Sequence, residues 1–220
     1  MRVIGVDPSL TNLGYVVLDS EKGLLDKGKF QTGTEDGLNI QRYFLQAQRM
    51  SDLIRKYEIK HIASESPIMR DFSTEILFGL QSILQGVYWA HGLKVVYLAP
   101  TQVKSYACPN VKGKVFKSDM VKAARIDLGM AETARLANDV ADAYWIGKIG
   151  LRFWSFMNQE LKESDLTKKE RTMFLHTHEF TRGKKKGLTE RKGIVFRRNE
   201  IYYLFDEIPF PETDFLRRNV

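Results

Sequence analysis

The chain has one cysteine, Cys108, in 220 residues. Intramolecular disulfides and multi-cysteine metal sites are therefore excluded, and a reducing, intracellular setting is expected. No apolar run approaches the roughly 20 residues that a membrane-spanning helix needs. The N-terminus enters directly as a strand, without a basic segment ahead of an apolar one, so a secretory signal is not expected. There is no internal repeat, and no low-complexity segment beyond Lys184–Lys186. His176 and His178 have no further ligands beside them and do not make a zinc site.

What is present is a chain of ordinary globular composition, 43% apolar and 28% charged, with a net charge of +7. That excess is not spread evenly. Arg182, Lys184, Lys185, Lys186, Arg191, Lys192, Arg197 and Arg198 stand against one acid, Glu190, so a single segment carries the whole of it. Such a cluster points to a polyanionic partner, because cations contact phosphates without reading sequence.

Residues 2–7, 13–19 and 23–32 read as three strands of an antiparallel meander. Apolar residues at helical spacing predict helices over 38–57, 73–91, 101–107, 118–128 and 138–158, with strands at 60–65 and 94–98 between them. Ser118 is the expected N-cap of the fourth helix, which stops at Gly129. A meander followed by alternating helices and strands gives an α/β fold, a mixed five-stranded sheet flanked by helices. Residues 1–158 are expected to form one domain. The stretch 159–172 is charged and expected to be exposed helix or linker. The extension 159–220 is expected to be small, basic, and β or irregular, with a hairpin around Arg198-Asn199.

Four acids stand out. Asp7 ends the apolar strand Val3-Ile4-Gly5-Val6, where an unpaired carboxylate would be costly. Glu65 ends the strand KHIASE in the same way. Asp139 and Asp142 lie three apart at the start of an apolar helix, which puts both on one face. Each alone has a plain reading, as a turn residue or as an acid favoured at a helix N-terminus. Gathered without a cation, the four would repel and raise one another's pKa. Around Mg²⁺ they become hard oxygen ligands, and two such ions about 3.5–4 Å apart can activate water for phosphodiester hydrolysis.

The stretches GVDPSLTNLGYVVLD, ASESPIM, KGKVFKSDMVKAAR and NDVADAYWIG, in this order and at these spacings, resemble the Holliday-junction resolvases of the RuvC type. The resemblance covers about residues 1–150 and implies a ribonuclease H-like fold. It implies a homodimeric crossover junction endodeoxyribonuclease that nicks opposing strands of a four-way junction and leaves 5′-phosphates. Asp7, Glu65, Asp139 and Asp142 take the catalytic, metal-holding positions. Two Mg²⁺ ions per site follow, with Mn²⁺ expected to substitute, and no nucleotide cofactor. Lys117 aligns with the functional lysine of the family, and Lys112 and Lys114 with its basic stretch. The resemblance also implies the cytoplasm of a bacterium or a phage-infected cell.

The chain departs from the pattern in two places. After Glu65, Ser66-Pro67-Ile68-Met69 lacks the aromatic that stacks at the junction centre, and none follows before Phe72. Ile68 is left to wedge there. The segment beyond 158 is an addition, and Arg182, Lys184, Lys185, Lys186, Arg191 and Lys192 are expected to contact DNA. Together these point to a phage-type variant that also accepts forks and flaps. The long helix 73–91 is the candidate dimer interface. Thr11 and Asn12 either orient substrate or cap the turn. Other readings stay open: a non-catalytic DNA-binding factor, an RNA-processing factor on the same fold, and an actin-like or sugar-kinase phosphate loop in GVDPSLTNLGY.

Overall fold

A computed structural model describes residues 1–66, 73–175, 177–179, 183 and 189–191. Strands β1 (Arg2–Asp7), β2 (Asn12–Asp19) and β3 (Gly23–Gln31) form the antiparallel meander. Strands β4 (His61–Glu65) and β5 (Lys94–Leu98) lie parallel, β4 on β1 and β5 on β4. The order β3-β2-β1-β4-β5 puts β1 in the middle of a five-stranded mixed sheet. Parallel neighbours need long crossovers, and helices α1 (Asn39–Tyr57) and α2 (Ser73–Ala90) provide them. Helices α3 (Pro100–Ala107), α4 (Lys117–Asp127), α5 (Asn138–Met157) and α6 (Lys168–Leu175) follow. The expected fold class is what the chain adopts.

Period-2 alternation divides the interior into two cores. Ile4, Val6, Leu13, Val17, Ile62, Val95 and Tyr97 pack with Met50, Ile54, Leu80 and Leu84 of α1 and α2. Val3, Val16, Leu18, Ala63, Val96 and Leu98 pack with α3, α4 and α5 on the other face. Each fully buried aliphatic or aromatic side chain contributes about 1.5–3 kcal/mol. Among the described residues no helix is long and apolar enough to cross a membrane.

Helix α5 lies unusually close to the sheet. A β-carbon on Gly5 would sit well inside contact distance of the Ala143 carbonyl and the Gly147 nitrogen. One on Gly14 would overlap the Asp139 carbonyl, and one on Gly150 the Ala63 side chain. Glycines on both partners thus let backbone meet backbone, and overpacked side chains there would force the helix away.

Several expectations need correcting. Phe116, not Ser118, is the N-cap of α4, and the Asp119 carboxylate accepts from its N–H at 2.8 Å. An acid three residues in reaches back more readily than a serine already inside the first turn. The charged stretch after α5 is helical in part and mostly exposed, as expected, but it also sends side chains inward. It makes a 3₁₀ turn (Glu163–Asp165) and α6, and Leu166 and Phe174 are buried in the α5-side core. Phe174 meets Phe153 edge to face, with centroids 5.4 Å apart. The carboxylate of Glu170, 1% exposed, accepts from Arg152 Nε at 2.8 Å, Tyr106 Oη at 3.0 Å and the Thr167 N–H at 2.8 Å. One charged residue of this stretch, Glu170, is an inward anchor, which composition alone does not reveal. Beyond α6, strands β6 (Thr177–Glu179) and β7 (Thr189–Arg191) pair antiparallel. The hairpin expected around Arg198-Asn199 lies outside the described residues.

Burial alone would raise the pKa of Glu170, but the bonds from Arg152 and Thr167 outweigh it and hold the group below its ordinary value. Its contribution to stability is thus fully present above the unfolded value and lost as pH falls through the lower folded one. Glu170→Gln should cost about 3 kcal/mol at pH 7, the low end for breaking a buried pair. Urea unfolding should show that gap narrowing once the pH drops below about 4.5. A cost under about 1 kcal/mol, the value of an exposed pair, would contradict this.

Candidate active site

The alternation that builds the α5-side core also aims the acids. Val3, Gly5 and Asp7 share one face of β1, and His61, Ala63 and Glu65 share the matching face of β4. Pairing runs through Gly5↔Ala63 and Val6↔Ser64, so Asp7 and Glu65 stand one step past the last pair, on neighbouring strand ends. Strands lie about 4.8 Å apart, which makes the two carboxylates neighbours. Helix α5 crosses above them, its first turn seated on Gly14 and its second on Gly5. Asp142 falls between those two contacts.

A cleft of about 180 Å³ is lined by Asp7, Glu65 and Asp142, by Pro100, Val103 and Lys104 of α3, and by Lys117 and Met120 of α4. The Glu65 carbonyl accepts from Gln81 Nε2 at 3.0 Å, tying the end of β4 to α2. Asp139 is not part of the lining. It stands at the rim, yet its charge still acts on Asp7 and Asp142. The i, i+3 spacing does put both acids on one side of α5, but only Asp142 points into the cleft.

The electrostatics are those of crowded like charges. Asp7 titrates well above an ordinary aspartate, through burial first and then the charges of Glu65, Asp142 and Asp139. Glu65 is pushed to about 7 by burial and by Asp142. Asp142 is raised by burial, with Lys117 and Lys104 pulling it back. Among the described residues no three acids, histidines or cysteines converge as a ready-made metal-ligand set. Asp7, Glu65 and Asp142 nonetheless suit a divalent cation. They are hard oxygen donors, half-buried, and short of positive charge.

No protein-family model matches the chain. It is 29% identical over 147 residues to the crossover junction endodeoxyribonuclease RuvC of Prochlorococcus marinus strain MIT 9301, spanning 65% of this chain and 91% of that one. The RuvC of Synechococcus sp. strain WH7803 is 27% identical over 156 residues, 68% of this chain and 97% of that one. The structure of Thermus thermophilus RuvC matches with a TM-score of 0.59 at 23% identity, covering 72% of this chain and 97% of that one. A second Thermus thermophilus RuvC structure, in complex with a Holliday junction substrate, gives the same TM-score at 22% identity.

The chain is thus similar in sequence to RuvC proteins and shares their fold. The structure brings Asp7, Glu65, Asp142 and Lys117 to one cleft, with Asp139 at its edge. Lys112 and Lys114 are exposed on the loop before α4. Ile68, Arg182, Lys184, Lys185, Lys186 and Lys192 lie outside the described residues, and of Arg191 only the backbone, in β7, is described. Thr11 and Asn12 hold the fold. The Thr11 carbonyl accepts from the Thr32 N–H, and Asn12 Oδ1 accepts from Gln31 Nε2 at 3.0 Å. Sequence reasoning missed Lys104. The available signal was its place on the short helix directly after β5, at the same carboxyl end of the parallel strands as Glu65.

A carboxyl with a raised folded pKa holds a proton that the unfolded chain has released. Its penalty on stability is absent below the unfolded value and grows as pH rises toward the folded one. Metal-free Glu65→Gln should therefore melt above wild type at pH 7.5, and the gain should shrink as pH is lowered toward 4. An equal gain at both pH values, or none at pH 7.5, would contradict the electrostatics described.

Proposed function

We propose that the chain is a divalent-metal-dependent endonuclease that nicks Holliday junctions, with Asp7, Glu65, Asp139 and Asp142 as its metal-holding carboxylates. The observation that carries the residue roles is that three acids, from β1, β4 and α5, line one cleft together with two lysines. The curated relatives are named crossover junction endodeoxyribonucleases, which supplies the reaction class. Mg²⁺ is the proposed ion, two per site, with Mn²⁺ able to replace it. When bound, such ions activate a water and stabilise the leaving oxygen of a phosphodiester.

The side chains have separable tasks. Asp7 and Glu65, fixed by adjacent strand ends, form the rigid floor. Asp142 closes the cleft from α5, and Asp139 contributes from the rim. Lys117 and Lys104 offset the carboxylate charge and hold the scissile phosphate, where an ammonium favours the developing negative charge. Hydrolysis of the P–O3′ bond leaves a 3′-hydroxyl on one strand end and a 5′-phosphate on the other. Lys112, Lys114 and the basic residues of the extension (Arg182, Lys184, Lys185, Lys186, Arg191 and Lys192) add phosphate contacts, which makes binding salt-sensitive.

One cleft per chain supports a homodimer, because two symmetric nicks need two sites. Ile76 on α2 and Phe44 on the adjoining α1 are large apolar side chains left exposed, which favours this helix pair as the interface. Acceptance of forks and flaps is part of the proposal and rests on the absence of an aromatic in residues 66–69.

Incubation with labelled four-way, forked and linear duplex DNA, with Mg²⁺ or with EDTA, tests the reading. Wild type should nick the junction symmetrically in Mg²⁺ only, and Asp7→Asn should bind it without cutting. Binding without cleavage by wild type in any divalent metal would overturn the catalytic assignment.

A further inference from the structure

Residues 109–116 join α3 to α4, and the two lysines of the cleft flank this loop, Lys104 on one side and Lys117 on the other. The loop carries Lys112 and Lys114 and, from Pro109 to Ser118, no acid. In the midst of these cations Phe116 is 57% exposed and Val111 42%. A single exposed apolar side chain is ordinary; what sets this ring apart is its place among Lys112, Lys114 and Lys117, the last of which lines the cleft.

The ring is held on a fixed base. The Phe116 N–H donates to Asp119 Oδ2 at 2.8 Å, and its carbonyl accepts from the N–H groups of Asp119 at 3.1 Å and Met120 at 3.3 Å. The backbone is thereby pinned while the side chain makes no capping bond. Lys114 Nζ lies 5.5 Å from the ring centroid. A partner that satisfies both features has a flat π-face and phosphates close beside it. A protein surface fits poorly, because a specific interface buries about 800 Å² per partner and here only two apolar side chains are offered. A nucleotide fits well, since aromatic side chains stack on bases and lysines take the phosphates. Bases inside a duplex are already stacked on both sides, so only an unpaired one can accept the ring.

We infer that Phe116 stacks on an unpaired base at the branch point of the DNA, next to the phosphate held by Lys117. This rests on the proposed endonuclease reading and deepens it. It gives the chain an aromatic contact from the α3–α4 loop, where Ser66-Pro67-Ile68-Met69 provides none.

The test uses the full chain carrying Asp7→Asn, so that DNA is bound without being cut, and adds Phe116→Ala, Phe116→Leu or Phe116→Trp. Because the ring is exposed, all three should melt with the parent. Affinity is measured for an intact four-way junction, for junctions abasic at each branch-point nucleotide in turn, and for linear duplex. Phe116→Ala and Phe116→Leu should weaken intact-junction binding by about 5- to 100-fold, the range for losing one stacked base. Phe116→Trp should keep it, and linear duplex should be unaffected. On the junction lacking the stacked base, Phe116→Ala should cost nothing further, since the interaction is already gone. An equal Phe116→Ala penalty on every abasic junction overturns the inference. So does a Leu variant as good as Phe, or a change of oligomeric state with unchanged DNA affinity. If wild type cuts the junction and Phe116→Ala binds as the parent does, only this inference fails. If wild type neither binds nor cuts branched DNA, the endonuclease reading fails with it.

Discussion

The architecture depends on one contact, the backbone-to-backbone approach of α5 to β1 and β2. Gly5 and Gly14 on the strands, with Gly147 and Gly150 on the helix, remove the β-carbons that would otherwise hold the layers apart. Ordinary helix-on-sheet packing would set α5 several ångströms higher. At that height Asp142 would not share a cleft with Asp7 and Glu65, whose own positions are fixed by the parallel register of β1 and β4. The same contact seats Asp139 directly over Gly14, which explains why it sits at the rim and not in the lining. Stability and site geometry are thus set by the same few glycines.

That geometry has an electrostatic cost which the fold offsets only in part. Three half-buried carboxylates repel, and two lysines on α3 and α4 supply the nearest positive charge. The local rule that buried charge should be paired is broken here, in a structure that pairs Glu170 with Arg152 closely. Such an exception is expected where charge has a use other than stability. The α6 segment enters indirectly. Through Glu170 and Tyr106 it braces α3, the helix that carries Lys104 to the cleft.

Much of this was legible in the residues. Apolar periodicity located the sheet strands and helices α1 to α5 within a residue or two, because each buries a continuous face. The strand-ending acids Asp7 and Glu65 were conspicuous for breaking that pattern. What the sequence hid depends on side chains reaching across the chain. The cap of α4 is an Asp119 bond, invisible to a rule that looks for serine at the boundary. Glu170 reads as one more surface charge in QELKESDLTKKERT until Arg152 and Tyr106 are seen beside it. Lys104 is one lysine among many until α3 folds over the end of β4. The separation of Asp142 from Asp139 needed the exact seat of α5, which spacing alone does not give.

The most direct test of this account compares Gly14→Ala with Gly150→Ala by calorimetric titration of Mn²⁺ and by thermal melting. Both substitutions crowd α5, but Gly14 lies under the carboxylates and Gly150 lies two turns or more away along the helix. Gly14→Ala should lose Mn²⁺ binding, and Gly150→Ala should retain it while losing comparable stability. Equal Mn²⁺ affinity in both variants, or none in wild type, would contradict the claim that the seat of α5 sets the carboxylate site.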